Sequence, residues 1–145
     1  MKTSKFSTFV LPVLFSIALT AAAVVHDVQA QPASATPQKP DPAAVEFLIA
    51  AAAEDFRAST SAGPVAIRKA RVGYFPEGGT GRYLLCGSFK SHEDKGSEWI
   101  QFATIKTSPY EQWIGGMAEA QCANKRIKWY GAEYANELMQ RVRGK

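Results

Sequence analysis

An uncharged, apolar run near the start of the chain differs from everything that follows it. Two lysines among the first five residues precede this run, which extends over 6–25 without a charged side chain. Small residues follow at Val28 and Ala30, and this order is the pattern of a secretory signal peptide. The pattern predicts that 1–30 is a signal peptide cleaved after Ala30, with a cut after Ala23 as the alternative.

An uncleaved membrane anchor is the other interpretation of this run, because about 20 apolar residues span a bilayer. Pro12, Ser16 and Thr20 interrupt the run, and no positive cluster follows it to stop transfer. A lipoprotein is not expected, because the sequence has no cysteine near the cut. We therefore predict a periplasmic or secreted protein with no transmembrane segment after signal cleavage.

A linker and a helix are predicted next. The segment 31–41 holds three prolines and no large apolar residue, which is typical of an extended, unpacked linker. Asp41 and Pro42 then favour a helix start, because Asp caps free N–H groups and Pro lacks the N–H that would go unused there. Apolar residues recur at helical spacing, and the helix should end near Ala58. The stripe consists of Val45, Leu48, Ile49, Ala52 and Phe56.

Three runs after this helix have the pattern of strands, at 67–75, 82–90 and 98–106. The glycine-rich segment 76–81 predicts a hairpin turn. The second strand is apolar on both faces, which indicates the centre of a sheet. The simplest arrangement is a three-stranded antiparallel meander with helices packed on it, an α+β fold. In the first strand, alternation places Ala70, Val72 and Tyr74 on one face and Lys69, Arg71 and Gly73 on the other.

The C-terminal part predicts helices. The sequence Ser-Pro-Tyr-Glu at 108–111 matches a capping box and predicts a helix that begins there, although Gly115 and Gly116 weaken its middle and favour two short pieces. Residues 126–130 fit either a short fourth strand or a loop. A last helix is predicted over 132–142. The predicted helical face of the capping-box segment carries Tyr110, Trp113, Ile114 and Met117, and the last helix carries Tyr134, Leu138 and Val142.

Composition and charge limit the class of protein. The chain has 145 residues, of which 46% are hydrophobic and 21% charged, so we expect one globular domain, which the pattern places at 42–145. The net charge of +4 would fall to +3 on cleavage, because two lysines and one aspartate would be lost. This mild excess is below that of a typical nucleic-acid-binding protein, so no nucleic-acid partner is expected.

Cys86 and Cys122 both follow the predicted cut. An exported protein meets an oxidising compartment, where a pair of cysteines is normally bonded. A reactive thiol would need a nearby base or a Cys-x-x-Cys motif, and the sequence has neither. We therefore predict one structural disulfide, Cys86–Cys122.

Catalytic and metal chemistry lacks a sequence pattern. His92 is the only histidine after the cut, and it lies in a polar, mixed-charge run with Glu93, Asp94 and Glu98. These residues have neither the ligand spacing of a metal site nor a serine nucleophile motif nearby. We expect no catalytic or metal residue and no cofactor. A carboxylate-based hydrolase is the alternative, and it would need two acids flanking a cleft.

Basic residues cluster at 68–71, 125–128 and 141–145. Aromatic residues adjoin the middle cluster, and such a surface can bind an anionic polymer by counterion release and stacking. The predicted anion-binding set is Lys125, Arg126, Lys128 and Trp129. An exported binding or structural protein that contacts an anionic envelope polymer is therefore the predicted function. An inhibitor or subunit of another envelope protein is a further alternative.

The segments PVAIRKARVGYF, YLLCGSFKS and WIQFATI resemble small exported domains of proteobacteria that have no established activity. Those domains share a leading helix, an arginine-bearing strand, a Cys-Gly strand and an aromatic strand. The matching positions here are Arg68, Arg71, Cys86, Gly87 and Phe102. The asparagine that often follows Cys-Gly is absent, and Ser88 and Phe89 stand in its place. The resemblance implies export and an α+β fold, and it implies no particular activity.

Overall fold

A five-stranded antiparallel sheet with strand order β4-β3-β2-β1-β5 forms the middle of the fold. The computed structural model describes residues 39–59, 63–77, 81–92 and 98–144. The elements in chain order are helix α1 (Pro42–Ala58), strands β1 (Pro64–Phe75), β2 (Arg82–Ser91), β3 (Ile100–Lys106) and β4 (Tyr110–Ile114), helix α2 (Gly116–Cys122), strand β5 (Lys128–Glu133) and helix α3 (Ala135–Val142). The predicted signal peptide and most of the predicted linker lie outside the described residues.

Helix α1 begins as the sequence predicts. The Asp41 side chain accepts a hydrogen bond of 3.0 Å from the backbone N–H of Ala43, and Pro42 occupies the first turn. The buried stripe of α1 packs with α3 on one face of the sheet, here called the helix-covered face. Phe56 lies at its centre, with ring centroids 5.0 Å from Phe89 and 5.2 Å from Phe102. This apolar layer is the main core of the described domain.

The three predicted strands are confirmed as neighbours in the sheet. Strand β2 is central and buries residues on both faces. Strand β1 begins at Pro64, earlier than predicted, and β3 begins at Ile100, later than predicted. Phe75 pairs with Arg82 across the predicted hairpin, whose tip at 78–80 lies outside the described residues.

The predicted helix at Ser108 is wrong. Tyr110–Ile114 is instead strand β4, which pairs with the free edge of β3. Aromatic and β-branched side chains suit a pleated surface, and Glu111, which the capping box would have used, pairs instead with Ile105 in the ladder. Gly115, with φ of 67°, ends the strand, so α2 begins only at Gly116.

The sheet therefore has five strands rather than three. Lys128–Glu133, which includes part of the ambiguous segment 126–130, is strand β5 and pairs with β1 at the other edge. Helix α3 begins at Ala135 instead of residue 132, because 132 and 133 belong to β5. Strand β4 pairs along the otherwise free edge of β3, and β5 pairs along the otherwise free edge of β1.

Helix α2 covers only part of the second face of the sheet. Helix α2 packs there through Ala118, and a disulfide between Cys86 and Cys122, with Cα atoms 6.0 Å apart, ties it to β2. The predicted disulfide is thus present. The part of this face that carries Arg68, Arg71, Ser88 and Gln101 is here called the open half. Of the helices in the described ranges, none has the length and apolar character needed to cross a bilayer.

Candidate anion-binding site

A β-bulge in β1 decides which side chains reach the open half. Arg68 pairs with Ser88 and Arg71 pairs with Cys86, so three steps along β1 match two steps along β2. In a regular strand, residues three apart point to opposite faces. The extra residue of the bulge instead brings Arg68 and Arg71 to the same face. Sequence alternation placed Arg71 on this face and gave no reason to place Arg68 beside it.

Lys69 lies in the bulge with φ of 53°, in the left-handed region that residues other than glycine rarely adopt. Its backbone N–H donates a 2.8 Å hydrogen bond to Oε1 of Glu133, at the end of β5. The next residue, Ala70, accepts a 2.7 Å bond from the N–H of Tyr134. The bulge is therefore anchored to the junction between β5 and α3.

The two arginines of the open half rest on indole rings. The guanidinium carbon of Arg68 lies 3.9 Å from the ring centroid of Trp99, and that of Arg71 lies 5.2 Å from the centroid of Trp129. Lys90 also approaches Trp99, with Nζ 5.3 Å from the centroid. A stacked guanidinium keeps the N–H groups on its edge free for an oxyanion. Stacking therefore holds these cations in place without consuming their donors.

Gly73 allows Trp129 to pack closely against the backbone of β1. A Cβ atom at Gly73 would lie 2.9 Å from Cε3 of Trp129 and 2.5 Å from Cγ2 of Ile127. Real Cβ atoms do not approach neighbours so closely. The absence of a side chain at this position therefore lets the indole lie directly against β1, next to Arg71.

A groove of about 180 Å³ lies on this face, beside Arg71 and Trp129. Its floor includes Ser88, which is 2% exposed and accepts a 3.0 Å hydrogen bond from Nε2 of Gln101. The described lining residues are Lys69, Arg71, Cys86, Gly87, Ser88, Gln101, Cys122 and Trp129. None of these is a carboxylate, so the groove has a polar floor, cationic walls and the disulfide at one side.

Among the described residues no ion pair joins Lys69 or Arg71 to a carboxylate, although Glu133 is the β5 partner of Arg71 and accepts the Lys69 N–H. Ion pairs there join Arg82 to Glu77, and Arg141 to both Glu46 and Glu137. The hydrogen bond from Arg141 lowers the pKa of Glu46, and the same bond raises the pKa of Arg141. One arginine of the last basic cluster is thus held in ion pairs that join α1 and α3, whereas Lys69 and Arg71 form no ion pair among the described residues.

The structure separates the anion-binding set that the sequence predicts. Lys125 is exposed after α2, and Arg126 donates a 2.8 Å bond to the carbonyl of Pro76 while its guanidinium carbon lies 4.9 Å from the ring centroid of Phe75. Lys128 pairs with Tyr74, a residue of the helix-covered face. Trp129 alone of the four lines the groove.

Sequence reasoning did not place Arg71, Ser88 and Gln101 in the groove, or Arg68 beside Ser88. Arg68 and Arg71 belong to a basic cluster that the sequence shows, but the bulge that joins them has no local signal. Ser88 and Gln101 are neighbours only through the pairing of β2 with β3. Only the register of these strands reveals that they share the floor.

The remaining candidates for catalysis or metal binding do not form a site among the described residues. His92 is exposed at the end of β2 and Glu98 is exposed before β3, while 93–97 lie outside the described residues. In the described part of the chain, no group of three or more His, Cys, Asp or Glu side chains could hold a metal ion. A cavity of about 40 Å³ beside α2, lined by Phe75, Leu84 and Ile127 among others, is too small for more than a water-sized guest.

No protein-family model, curated protein or solved structure matches the chain. The resemblance to small exported domains therefore stays a sequence-based expectation. The fold itself defines an α+β protein with one disulfide, consistent with an oxidising compartment.

Proposed function

We propose that this chain binds an anionic polysaccharide of the cell envelope through the groove. The observation that carries the proposal is the placement of Arg68 and Arg71 on one face, each over an indole ring and neither in an ion pair among the described residues. A guanidinium fork matches the oxygens of a phosphate or carboxylate group. Because stacking already restricts both arginines, binding costs less side-chain entropy.

The disulfide supports an envelope ligand, because structural disulfides persist in oxidising compartments outside the cytosol. A polymer with repeated acidic groups suits a surface that carries several cations, because each neutralised group releases counterions. A membrane surface fits less well. Among the described residues, the exposed large hydrophobic side chains are Ile114 and Met117, on β4 and α2, and neither lines the groove. An inserting surface would need an apolar rim beside its cations.

The test is retention of the full chain, with its disulfide intact, on immobilised lipopolysaccharide over a series of salt concentrations. We expect retention at low salt that falls as salt rises, since counterions are released on binding. The double variant Arg68→Gln/Arg71→Gln should lose most of this retention. It should also reduce the slope of log affinity against log salt by about 1 to 2.

The matched control is Lys125→Gln/Lys128→Gln, which removes the same two charges from the set that the sequence predicts. Neither lysine contacts the groove, so retention should stay close to that of the unmodified chain. Equal losses in both double variants would show that only net charge matters. Retention unchanged by Arg68→Gln/Arg71→Gln would overturn the proposal.

A further inference from the structure

We infer that the floor of the groove is a subsite for a single phosphate group carried by a sugar polymer, an inference that rests on the proposed function. Arg68, Ser88 and Gln101 form one row across β1, β2 and β3, because Ser88 pairs with both of the others. Side chains paired in this way lie about 4.5–5.5 Å apart at Cβ. Arg68 therefore lies next to Ser88, on the same face as Ser88 and Gln101, which line the groove.

The hydroxyl of Ser88 has a donor to spare. Its oxygen accepts from Nε2 of Gln101 at 3.0 Å, and a serine hydroxyl has one proton to donate in addition to its lone pairs. Ser88 is 2% exposed, so its surroundings hold it in place. An oxyanion above the floor would accept from this hydroxyl, which Gln101 orients.

Arg71 supplies a second cation in the next row. It pairs with Cys86, two residues before Ser88 on β2, so the two arginines flank the serine from adjacent rows. Phosphate has enough oxygens to accept from two guanidinium groups and a hydroxyl together, whereas a carboxylate has only two. The donor set therefore favours phosphate over carboxylate.

The size of the groove limits what else enters. Sites for drug-sized molecules have volumes of about 300–1,000 Å³, and this groove has about 180 Å³. One phosphorylated sugar unit fits that scale better than an oligosaccharide. The rest of the polymer would then extend across the exposed surface beside the groove.

The test of the subsite is a titration of the full, oxidised chain with inorganic phosphate at constant ionic strength. Amide NMR chemical shifts monitor the titration. We expect saturable shifts centred on Arg68, Arg71 and Ser88, and weaker shifts with acetate. Arg68→Lys keeps the charge and loses the guanidinium fork, and it should weaken phosphate binding about tenfold. Ser88→Ala should weaken it by a similar factor, while Lys125→Gln/Lys128→Gln should leave it unchanged.

Arg68 is exposed, so Arg68→Lys remains informative if Ser88→Ala fails to fold. Shifts that do not saturate, or equal phosphate affinity in Arg68→Lys and the unmodified chain, would overturn the subsite. Binding to anionic phospholipid vesicles as strong as binding to lipopolysaccharide would overturn the sugar polymer as the source of the phosphate.

The subsite and the proposed function fail in different ways. Retention on lipopolysaccharide without saturable binding of inorganic phosphate refutes the subsite and supports polymer binding by dispersed charge. Saturable phosphate binding without retention on the polymer refutes the proposed function and supports the subsite for a smaller phosphate ester.

Discussion

The backbone N–H of Lys69 donates to the carboxylate of Glu133 at 2.8 Å, across 64 positions of sequence. This contact holds a residue with φ of 53°, a conformation that costs an L-amino acid about 1–2 kcal/mol. Strain of this kind persists where surrounding contacts fix it, and it concentrates at functional sites. Here it shifts the alternation of β1 and brings Arg68 to the face of Arg71.

Glu133→Ala should weaken retention on lipopolysaccharide even though it makes the chain more positive. Loss of the acceptor releases the Lys69 N–H and loosens the bulge, so Arg68 is held less well above the groove. The free energy of unfolding should fall by about 1 kcal/mol, measured by urea denaturation.

Glu133→Gln is the control for this change. It gains the same charge but keeps a side-chain oxygen that accepts the Lys69 N–H, so retention should equal or exceed that of the unmodified chain. Stronger retention by Glu133→Ala than by Glu133→Gln would contradict a positioning role, because charge alone would then explain both results.

Lys69→Gly should stabilise the protein. Glycine adopts positive φ without the steric cost, while its greater freedom in the unfolded chain costs about 0.5–1 kcal/mol. The net expectation is a gain of about 0.5 kcal/mol in the free energy of unfolding.

Lys128→Gly is the matched comparison, because it removes the same charge from an exposed strand position. Among the described residues, Lys69 alone combines positive φ with a side chain, so glycine at 128 relieves no strain. We expect a loss of about 1 kcal/mol there. A similar loss in both variants, measured by the same denaturation, would show that the bulge is not strained.

The sequence predicted those parts of the fold that have a strong local pattern. Asp41 and Pro42 mark the start of α1 through backbone chemistry that needs no tertiary contact. The central position of β2 follows from apolar residues on both of its faces. The disulfide followed from a compartment argument that left one possible pairing.

The parts that were missed depend on partners distant in sequence. The capping-box pattern at Ser108 is real, but the free edge of β3 pairs with Tyr110–Ile114 and prevails over it. The bulge has no signal in the sequence, because the residue with left-handed backbone conformation is a lysine, whereas glycine or asparagine would have indicated such a position.

The candidate site was predicted only in part for the same reason. The basic residues near Trp129 are adjacent in sequence, but Arg126 lies against Phe75 and Lys128 pairs on the helix-covered face. Trp129 instead meets Arg71 through the pairing of β5 with β1. Adjacency in sequence was therefore a poor guide to adjacency in space.

Cys86→Ala/Cys122→Ala should lower the free energy of unfolding by about 3–4 kcal/mol, because the bond closes a loop with a sequence separation of 36. The measurement is urea denaturation with and without a reductant. Reduction should bring the unmodified chain close to the double variant and leave the double variant unchanged. Insensitivity of the unmodified chain to reduction would contradict a stabilising role of the bond.

Tyr130 should make the protein less stable at high pH. Burial, followed by the influence of Tyr83, raises the pKa of Tyr130 to about 12 from its ordinary value of 10.0. Between these two values the folded chain keeps a proton that the unfolded chain releases. The stabilising contribution is therefore complete below pH 10.0 and is lost as pH rises toward about 12.

The variant Tyr130→Phe isolates this contribution. At pH 8 it should be less stable than the unmodified chain, because it loses the hydrogen bond with Tyr83. The difference in unfolding free energy should then shrink as pH rises from about 10 to about 12. Over this range Tyr130 of the unmodified chain ionises in the unfolded state before it does in the folded state, which favours unfolding, and phenylalanine does not ionise. Urea denaturation at several pH values measures it, with Tyr134→Phe as the control for loss of a half-buried phenol. A difference that stays constant over this range would show that Tyr130 does not titrate differently in the two states.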